Sequence, residues 1–245
     1  MRWTKKLSTD ERLGLADTVL LHRKKQLMYP TGWYSSTRRL ASLPELETKL
    51  KNIIGNLLSQ KRKSPVRVLD SGAGLLGISG DLKQIFGNKI HLTALTLRHP
   101  NTSLKSMKIG LKETIDKSHV GDICGMHLDG LKDTISNREK VRAFTQHHVG
   151  LFKTGKQNAK LVDKIKVGLL ENMQGKETYD LIFDISGGML HTYYPTRVKE
   201  VAHKMLTPSG ILITDERKYS LDTTMFEVIG QFKIEMRRGW VLRKK

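Results

Sequence analysis

The residues that could do chemistry in this chain are concentrated in one short segment, Val68 to Gly77, which reads VLDSGAGLLG. Gly72, Gly74 and Gly77 have the spacing G-x-G-x-x-G, and they follow an apolar run that ends in an acid, Asp70. Glycines at this spacing between a strand and a helix allow a tight turn and let a ligand approach the backbone closely. The segment is therefore the candidate ligand-binding turn of the protein.

Dinucleotides are one class of ligand that uses such a turn. They place their pyrophosphate at the open N-terminus of the following helix, where an acid would repel it. Asp70 stands beside the turn in this chain. An NADP-dependent oxidoreductase, in which Arg98 would meet the 2′-phosphate, is thus an alternative that Asp70 and the long N-terminal extension disfavour.

The elements around the turn alternate between strand and helix patterns. Apolar-rich runs predict buried strands at Val66–Leu69, Ile90–Leu97, Tyr179–Ile185 and Ile211–Thr214. Helices are predicted at Pro44–Leu58 and Thr196–Leu206. Two final runs, Phe232–Met236 and Trp240–Arg243, predict a hairpin around Gly239. The fold class predicted is α/β, a doubly wound and mainly parallel sheet with a C-terminal antiparallel hairpin.

Two further parts are predicted around this sheet. Residues 1–64 form an N-terminal helical extension, with a first helix between Leu7 and Met28 and a second from Pro44. Residues 65–245 form the Rossmann-like domain. Within it, residues 100–163 are lysine-rich and polar, and they far exceed the about 2–6 residues of an ordinary connection. We therefore expect the usual crossover helix there, together with an inserted subdomain after the second strand.

The order of apolar strand, acid and G-x-G in Val68 to Gly74 resembles motif I of the class I, S-adenosylmethionine-dependent methyltransferases. Tyr179 to Gly188 is similar to the family's fourth strand and the loop after it. Val198 to Ile213 is similar to its next helix, L-x-P-G-G turn and fifth strand. The resemblance covers roughly residues 65–99 and 164–245. It implies a methyltransferase-like domain over residues 65–245 with S-adenosylmethionine as cofactor.

The resemblance implies a cofactor site along the carboxyl ends of the strands. The family's ligand is a sulfonium zwitterion whose cationic amino end an acid at Asp70 can favour. The implied cofactor-binding residues near motif I are Asp70, Ser71, Gly72, Ala73 and Gly74. After the fourth strand they are Asp184, Ser186 and Gly187.

The ribose and adenine contacts depart from the family pattern. The family commonly has an acid at the end of the second strand, whereas this chain has Thr96, Leu97 or Arg98 there. For the adenine contact after the third strand, the alternatives are Gly121–Ile123 and Lys166–Glu171. The second is preferred because it leaves the shorter gap before Tyr179, and Glu171 is then a better candidate than Asp122.

Candidate catalytic residues follow the fourth strand, because ligands of open α/β folds sit at the carboxyl edge of the sheet. Methyl transfer needs an aligned acceptor and the removal of one proton. Asp184 ends the strand, and His191 is a candidate general base near neutral pH. Tyr193 and Tyr194 could stack on a base or simply pack.

Some acceptor atoms are disfavoured by motifs that the chain does not have. No Asn/Asp-Pro-Pro-aromatic segment follows the fourth strand, which disfavours methylation of the adenine amino group in that style. Methylation of cytosine C5 uses a cysteine nucleophile in the catalytic loop, and the single cysteine, Cys124, lies elsewhere. The acceptor atom stays open.

The charge of the chain predicts a polyanionic partner. Lys and Arg number 43 against 24 Asp and Glu, which gives a net charge of +19 and a pI near 10.0. Such a field attracts nucleic acid, although excess lysine can also merely solvate a surface. The expected RNA surface combines Lys61–Lys63 and the lysines of residues 100–163 with the substrate-binding candidates Trp33, Tyr34, Arg38 and Arg39.

The single cysteine and the hydropathy pattern restrict the protein class. One cysteine excludes an internal disulfide and any cysteine-rich zinc or iron–sulfur site, and no metal site is predicted. No apolar run approaches the roughly 20 residues of a membrane span. We expect a cytoplasmic protein or one from another reducing intracellular compartment.

These observations favour S-adenosylmethionine-dependent methyl transfer to RNA or a ribonucleoprotein. One alternative is a degenerate methyltransferase fold that binds RNA without turnover, which would explain the missing ribose acid. Another is a methyltransferase for a small molecule or a protein. Binding of the cofactor separates the enzyme from the degenerate fold.

Overall fold

The computed structural model describes residues 39–60, 64–96, 150, 153–173, 177–185, 195–215, 223–234 and 237–245. The helices in these ranges are α1 (Pro44–Gln60), α2 (Gly77–Phe86) and α3 (Pro195–Met205), with a short helical stretch over residues 153–158. The strands are β1 (Val66–Ser71), β2 (Ile90–Thr96), β3 (Lys164–Val167), β4 (Tyr179–Asp184), β5 (Leu206–Thr214), β6 (Phe226–Ile234) and β7 (Arg237–Lys244). Single 3₁₀ turns lie at Leu40–Ser42, Gly87–Lys89 and Leu170–Asn172.

The strands form one sheet in the order β3-β2-β1-β4-β5-β7-β6. The first five strands are parallel, whereas β7 is antiparallel to both β5 and β6. From β1 the chain order runs outwards in both directions, so a crevice opens between the carboxyl ends of β1 and β4. This confirms the predicted fold class, a mainly parallel α/β sheet with an antiparallel hairpin at its C-terminal side.

Both faces of the sheet are covered by helices, as expected of strands that are buried on two sides. One face, which we call the α1/α2 face, packs Val68, Phe183 and Ile213 against apolar residues of α1 and α2, namely Leu46, Leu50, Ile54 and Leu82. The other, the α3 face, packs Leu69, Ile182 and Leu212 against Val198, Ala202 and Met205. Alternate residues of each strand therefore point to different helices.

The fifth strand begins earlier than predicted. β5 starts at Leu206, where the sequence analysis expected a turn before Ile211. Tyr179 pairs with Leu206 and Leu181 with Ile211, so residues 207–210 bulge out, and Ser209 has a positive φ of 60°. The turn motif is thus a bulge within the strand.

A buried carboxylate holds this bulge. Asp180 accepts the backbone N–H of Arg67 at 2.8 Å and the hydroxyl of Thr207 at 3.2 Å. The aspartate therefore joins β1, β4 and the bulge of β5 on the amino side of the sheet.

The third strand, β3, begins at Lys164 and pairs parallel with β2. It leads into Lys166–Glu171, the preferred placement of the adenine contact. The alternative position at Gly121–Ile123 lies outside the described residues, as do the first predicted helix and residues 100–149 of the predicted insertion. None of the helices in the described ranges is long and apolar enough to cross a membrane.

Candidate cofactor site

The glycine turn lies at the carboxyl end of β1 and is tied to the end of β2. The backbone N–H groups of Gly72 and Ala73 donate to the carbonyl oxygen of Leu95 at 3.1 and 2.9 Å. The hydroxyl of Thr96 donates to the carbonyl oxygen of Gly74 at 3.1 Å. Three hydrogen bonds to the end of β2 therefore fix the path of the turn.

The turn needs glycine because its backbone is left-handed. Gly72 has φ 110° and Gly74 has φ 44°, which residues with a Cβ rarely adopt. Leu76, directly before α2, also has a positive φ of 61°. A leucine in this conformation requires support from its surroundings.

The helical stretch over residues 153–158 provides that support. The side-chain amide of Asn158 donates to the carbonyl oxygen of Leu76 at 3.0 Å, and Asn158 is buried. A Cβ on Gly80 of α2 would lie 2.5 Å from Cγ of Asn158, and one on Gly155 would lie 3.1 Å from the carbonyl oxygen of Leu75. Asn158 was not identified in the sequence analysis. The signal in the sequence that could point to it is a pair of glycines, Gly80 and Gly155, at which the helical stretch packs closely against α2 and the residues before it.

Asp70 is buried beside the turn on the α1/α2 face. Its carboxylate accepts the hydroxyl of Ser79 from the first turn of α2, and Ser79 is the one donor that reaches it in the described part of the chain. Burial raises the pKa of Asp70 to about 7, while the hydrogen bond from Ser79 lowers it. A buried carboxylate with a single donor retains acceptor capacity for a further partner, above all for a cation.

Asp184 ends β4 on the other side of the crevice and is fully buried. Its carboxylate accepts the hydroxyl of Ser71, the last residue of β1, at 2.7 Å. The register of β1 and β4 places Ser71 level with Asp184 on the α3 face. The two central strands therefore end in two buried carboxylates, Asp70 on one face and Asp184 on the other.

Thr96 is one of three residues that could stand where the family commonly has a ribose acid. It is buried, and its hydroxyl is bonded to Gly74 of the turn. Thr96 therefore supports the turn. The other two residues, Leu97 and Arg98, lie outside the described residues.

Glu171 lies in the 3₁₀ turn Leu170–Asn172 after β3. This places its backbone at the carboxyl edge of the sheet, although its side chain is not among those described. The preceding Leu170 is buried in the α3-face core.

Arg39 is a predicted substrate-binding residue that lies within the described ranges, and it is bonded to α2. Its guanidinium Nε donates to both carboxylate oxygens of Asp81, at 2.7 and 3.0 Å, and Asp81 also accepts the N–H of Leu40. The hydrogen bond to Asp81 raises the pKa of Arg39. The side chain is 51% exposed, so part of the guanidinium still faces solvent.

The remaining predicted site residues lie outside the described residues: Ser186, Gly187, His191, Tyr193, Tyr194, Trp33, Tyr34 and Arg38. In the described ranges, no group of three or more His, Cys, Asp or Glu side chains could hold a metal ion.

The geometry of the crevice suits a ligand with cationic groups. The left-handed glycines leave the backbone approachable, and two buried acids flank the approach. A pyrophosphate between these acids would be repelled. Asp70, with its spare acceptor capacity, can accept hydrogen bonds from a cationic group of a ligand.

Comparison with known proteins gives structural matches only. No family model and no curated protein sequence matches the chain significantly. Among solved structures it is similar to an rRNA methyltransferase, aviRa, from Streptomyces viridochromogenes, with 10% identity, TM-score 0.39 and coverage of 74% of this chain and 77% of that one. It is also similar to the proposed methyltransferase yhhF from Escherichia coli, with 7% identity, TM-score 0.45 and coverage of 82% and 84%.

A third similar structure is a proposed caffeoyl-CoA O-methyltransferase from Staphylococcus aureus, with 11% identity, TM-score 0.43 and coverage of 94% and 91%. Since the three TM-scores lie below 0.5, the assignment of the fold rests on the chain's own strand order and directions. These are the order and directions of a Rossmann-like methyltransferase. The chain therefore has the Rossmann-like, mainly parallel α/β fold with a C-terminal antiparallel hairpin that its sequence predicts.

Proposed function

We propose that the chain binds S-adenosylmethionine in the crevice between β1 and β4 and transfers its methyl group to RNA. The observation that carries this proposal is the pair of buried carboxylates, Asp70 and Asp184, on either side of a left-handed glycine turn. A zwitterionic sulfonium ligand brings positive charge to such a site, whereas a dinucleotide brings negative charge.

The residues of the crevice have separate tasks in this proposal. Asp70 binds the ligand's ammonium group, and the glycine turn lets the amino-acid part approach the backbone. Asp184, held by Ser71, lines the crevice on the α3 face. The bound cofactor supplies an electrophilic methyl group on its sulfonium. Catalysis then depends on alignment of the acceptor and on removal of its proton, for which His191 is the candidate base.

RNA is the substrate class that the charge of the chain favours. A net charge of +19 gives a field that concentrates polyanions at the surface. Arg38 and Arg39 contribute cations, and Trp33, Tyr34, Tyr193 and Tyr194 contribute stacking surfaces.

Titration calorimetry with S-adenosylmethionine, S-adenosylhomocysteine and NADPH tests the cofactor. We expect heat with the first two ligands only. Gly72→Val should abolish binding, because a Cβ at φ 110° is strained and intrudes on the ligand. Gly55→Val, in the exposed part of α1 where nothing lies within 4 Å of a Cβ, is the control. Heat with NADPH alone would contradict the proposal.

A degenerate fold that binds RNA without turnover is the second candidate, and the site at Thr96 favours it. No acid stands at this position, and the hydroxyl of Thr96 is bonded to Gly74. Transfer of labelled methyl groups from S-adenosylmethionine to RNA distinguishes the two candidates. RNA binding without cofactor binding would favour the degenerate fold.

A further inference from the structure

The tip of the β6–β7 hairpin extends past the carboxyl end of β5. Thr214, the last residue of β5, pairs with Trp240 of β7, and β7 begins three residues earlier, at Arg237. At the tip, Lys233 of β6 lies directly opposite Arg238 of β7. The hairpin therefore places two basic residues beyond the edge of the sheet on which the cofactor crevice opens.

Several other lysines and arginines of the sheet form ion pairs with acids of the described ranges, whereas Lys233 and Arg238 do not. Arg243 pairs with Glu227, and Lys164 and Lys166 both pair with Glu177. Lys233 and Arg238 are exposed, and within the described ranges neither side chain has an ion pair with an acid. Like charges directly opposite each other across two strands are destabilising. An external anion would relieve this repulsion.

Trp240 orients one of the two cations. The guanidinium of Arg238 lies 5.9 Å from the centre of the Trp240 ring, and Trp240 is buried. A guanidinium over the face of a tryptophan is attracted by the ring. Arg238 is thus held at one position at the tip while its hydrogen-bond donors stay accessible.

The tip lies on the same face of the sheet as Ser71 and Asp184. The register places Asp184 level with Thr214 and Thr214 level with Trp240, and Trp240 belongs to the α3-face core. Arg238 is two residues further along the same face of β7. It therefore lies about 10 Å across two strand spacings and about 7 Å along the strand from Asp184.

We propose that Lys233 and Arg238 bind the phosphate backbone of the RNA substrate on the methyl-acceptor side of the crevice. The inference rests on the proposed function for the identity of the partner. Phosphodiester oxygens accept hydrogen bonds from a guanidinium fork and from an ammonium group. Arg238 lies close to Asp184. An RNA whose phosphate is bound by Arg238 can therefore place a neighbouring nucleotide at the carboxyl edge of the sheet.

The test measures binding of a short, single-stranded RNA of mixed sequence by fluorescence anisotropy over a range of salt concentrations. Lys233→Gln and Arg238→Gln should each weaken binding several-fold. They should also reduce the slope of log K against log salt by about 0.7 for each phosphate contact that is lost. Arg238→Lys should retain the slope, because the charge remains.

Lys89→Gln is the matched control, because Lys89 is exposed directly before β2 at the amino edge of the sheet. The slope of log K against log salt for this variant should equal that of the wild type. S-adenosylmethionine affinity of all variants should stay unchanged, and thermal unfolding should show that all of them are folded at the temperature of the assay. Wild-type slopes in Lys233→Gln and Arg238→Gln would overturn the inference, as would binding to anionic vesicles without binding to RNA. If the slopes fall but no variant and no wild type binds S-adenosylmethionine, the inference stands and the proposed function fails.

Discussion

The side-chain amide of Asn158 donates a 3.0 Å hydrogen bond to the carbonyl oxygen of Leu76, the left-handed residue that joins the glycine turn to α2. Asn158 is far from the turn in sequence, and it comes from the end of the long segment between β2 and β3. The candidate cofactor turn is therefore held in place by a residue of the crossover, in addition to its own strand ends.

We expect Asn158→Ala to lower both the free energy of unfolding and the affinity for S-adenosylmethionine. A buried hydrogen bond is lost and the carbonyl oxygen of Leu76 loses a donor, which costs about 1–3 kcal/mol. Urea unfolding and calorimetry measure the two effects. Thr154→Ala is the control, since Thr154 lies on the same helical stretch with its exposed hydroxyl bonded to Gly150. Equal cofactor affinity in Asn158→Ala and wild type would contradict a role for Asn158 in the turn.

Gly80→Ala should displace Asn158 from Leu76 without changing any residue of the turn. Its Cβ would lie 2.5 Å from Cγ of Asn158, and overpacking of this kind costs about 1–3 kcal/mol. In the double variant Gly80→Ala/Asn158→Ala the clash is absent, so the double variant should lose less stability than the sum of the single variants.

Gly55→Ala is the control for this pair. Gly55 lies in α1 with nothing within 4 Å of a Cβ, so alanine should stabilise the helix there by about 0.5–1 kcal/mol. Additive effects in the Gly80–Asn158 cycle, measured by urea unfolding, would show that the two side chains do not compete for space.

Asp70 should make the stability of the ligand-free protein fall as pH rises. Burial raises its pKa from 3.8 to about 7, so between these pH values the folded chain holds a proton that the unfolded chain releases. The free energy of unfolding should therefore decrease with pH, by at most about 1.4 kcal/mol per pH unit, and level off above pH 7. Asp70→Asn should remove this contribution. Identical pH profiles for Asp70→Asn and wild type would contradict it.

Cofactor affinity should show the opposite pH dependence. A cationic amino group binds the ionised form of Asp70, so S-adenosylmethionine affinity should rise with pH up to about pH 7. Ser79→Ala removes the hydrogen bond that lowers this pKa, so the midpoint should move to higher pH. Calorimetry in buffers of different ionisation heat would also detect the proton released on binding. No proton release near pH 6 would exclude Asp70 from contact with the amino group.

Arg39 should contribute to stability as well as to RNA binding. Arg39→Ala leaves Asp81, which is mostly buried, without its guanidinium partner, and we expect a loss of roughly 1 kcal/mol in urea unfolding because the pair is half exposed. Asp81→Asn breaks the same ion pair and keeps the cation. If Arg39 contacts a phosphate, the slope of log K for RNA binding against log salt should be smaller in Arg39→Ala than in Asp81→Asn. Equal slopes would show that Arg39 only forms the ion pair with Asp81.

The parts of the fold that the sequence predicts are those with local signals. Val66, Val68 and Leu69 are apolar because β1 is buried on both faces, and Gly72 and Gly74 are required by their positive φ. Pro208 and Gly210 are typical of both a turn and a bulge, and only the pairing of β5 with β4 decides that residues 207–210 form a bulge.

The contacts of the candidate site that join segments far apart in the chain cannot be predicted from the sequence alone. Asn158 reaches Leu76 across 82 residues and Ser71 reaches Asp184 across 113. Neither contact has a local pattern, because each depends on which strand or helix the topology places next to the turn. The resemblance implies Asp70, Ser71 and Asp184 as site residues, whereas the hydrogen bonds that Ser79 and Ser71 donate to the two acids depend on the tertiary structure.

The packing of α1 against β6 affects how the protein can fold during its synthesis. Leu46, Leu50 and Ile54 share a core with Phe232 and Ile234, and Glu45 accepts the N–H of Lys233, which lies 188 residues further along the chain. The apolar side of α1 thus leaves the ribosome long before the strand that covers it. Since contacts of high sequence separation form slowly, completion of the core must wait until the hairpin has been translated.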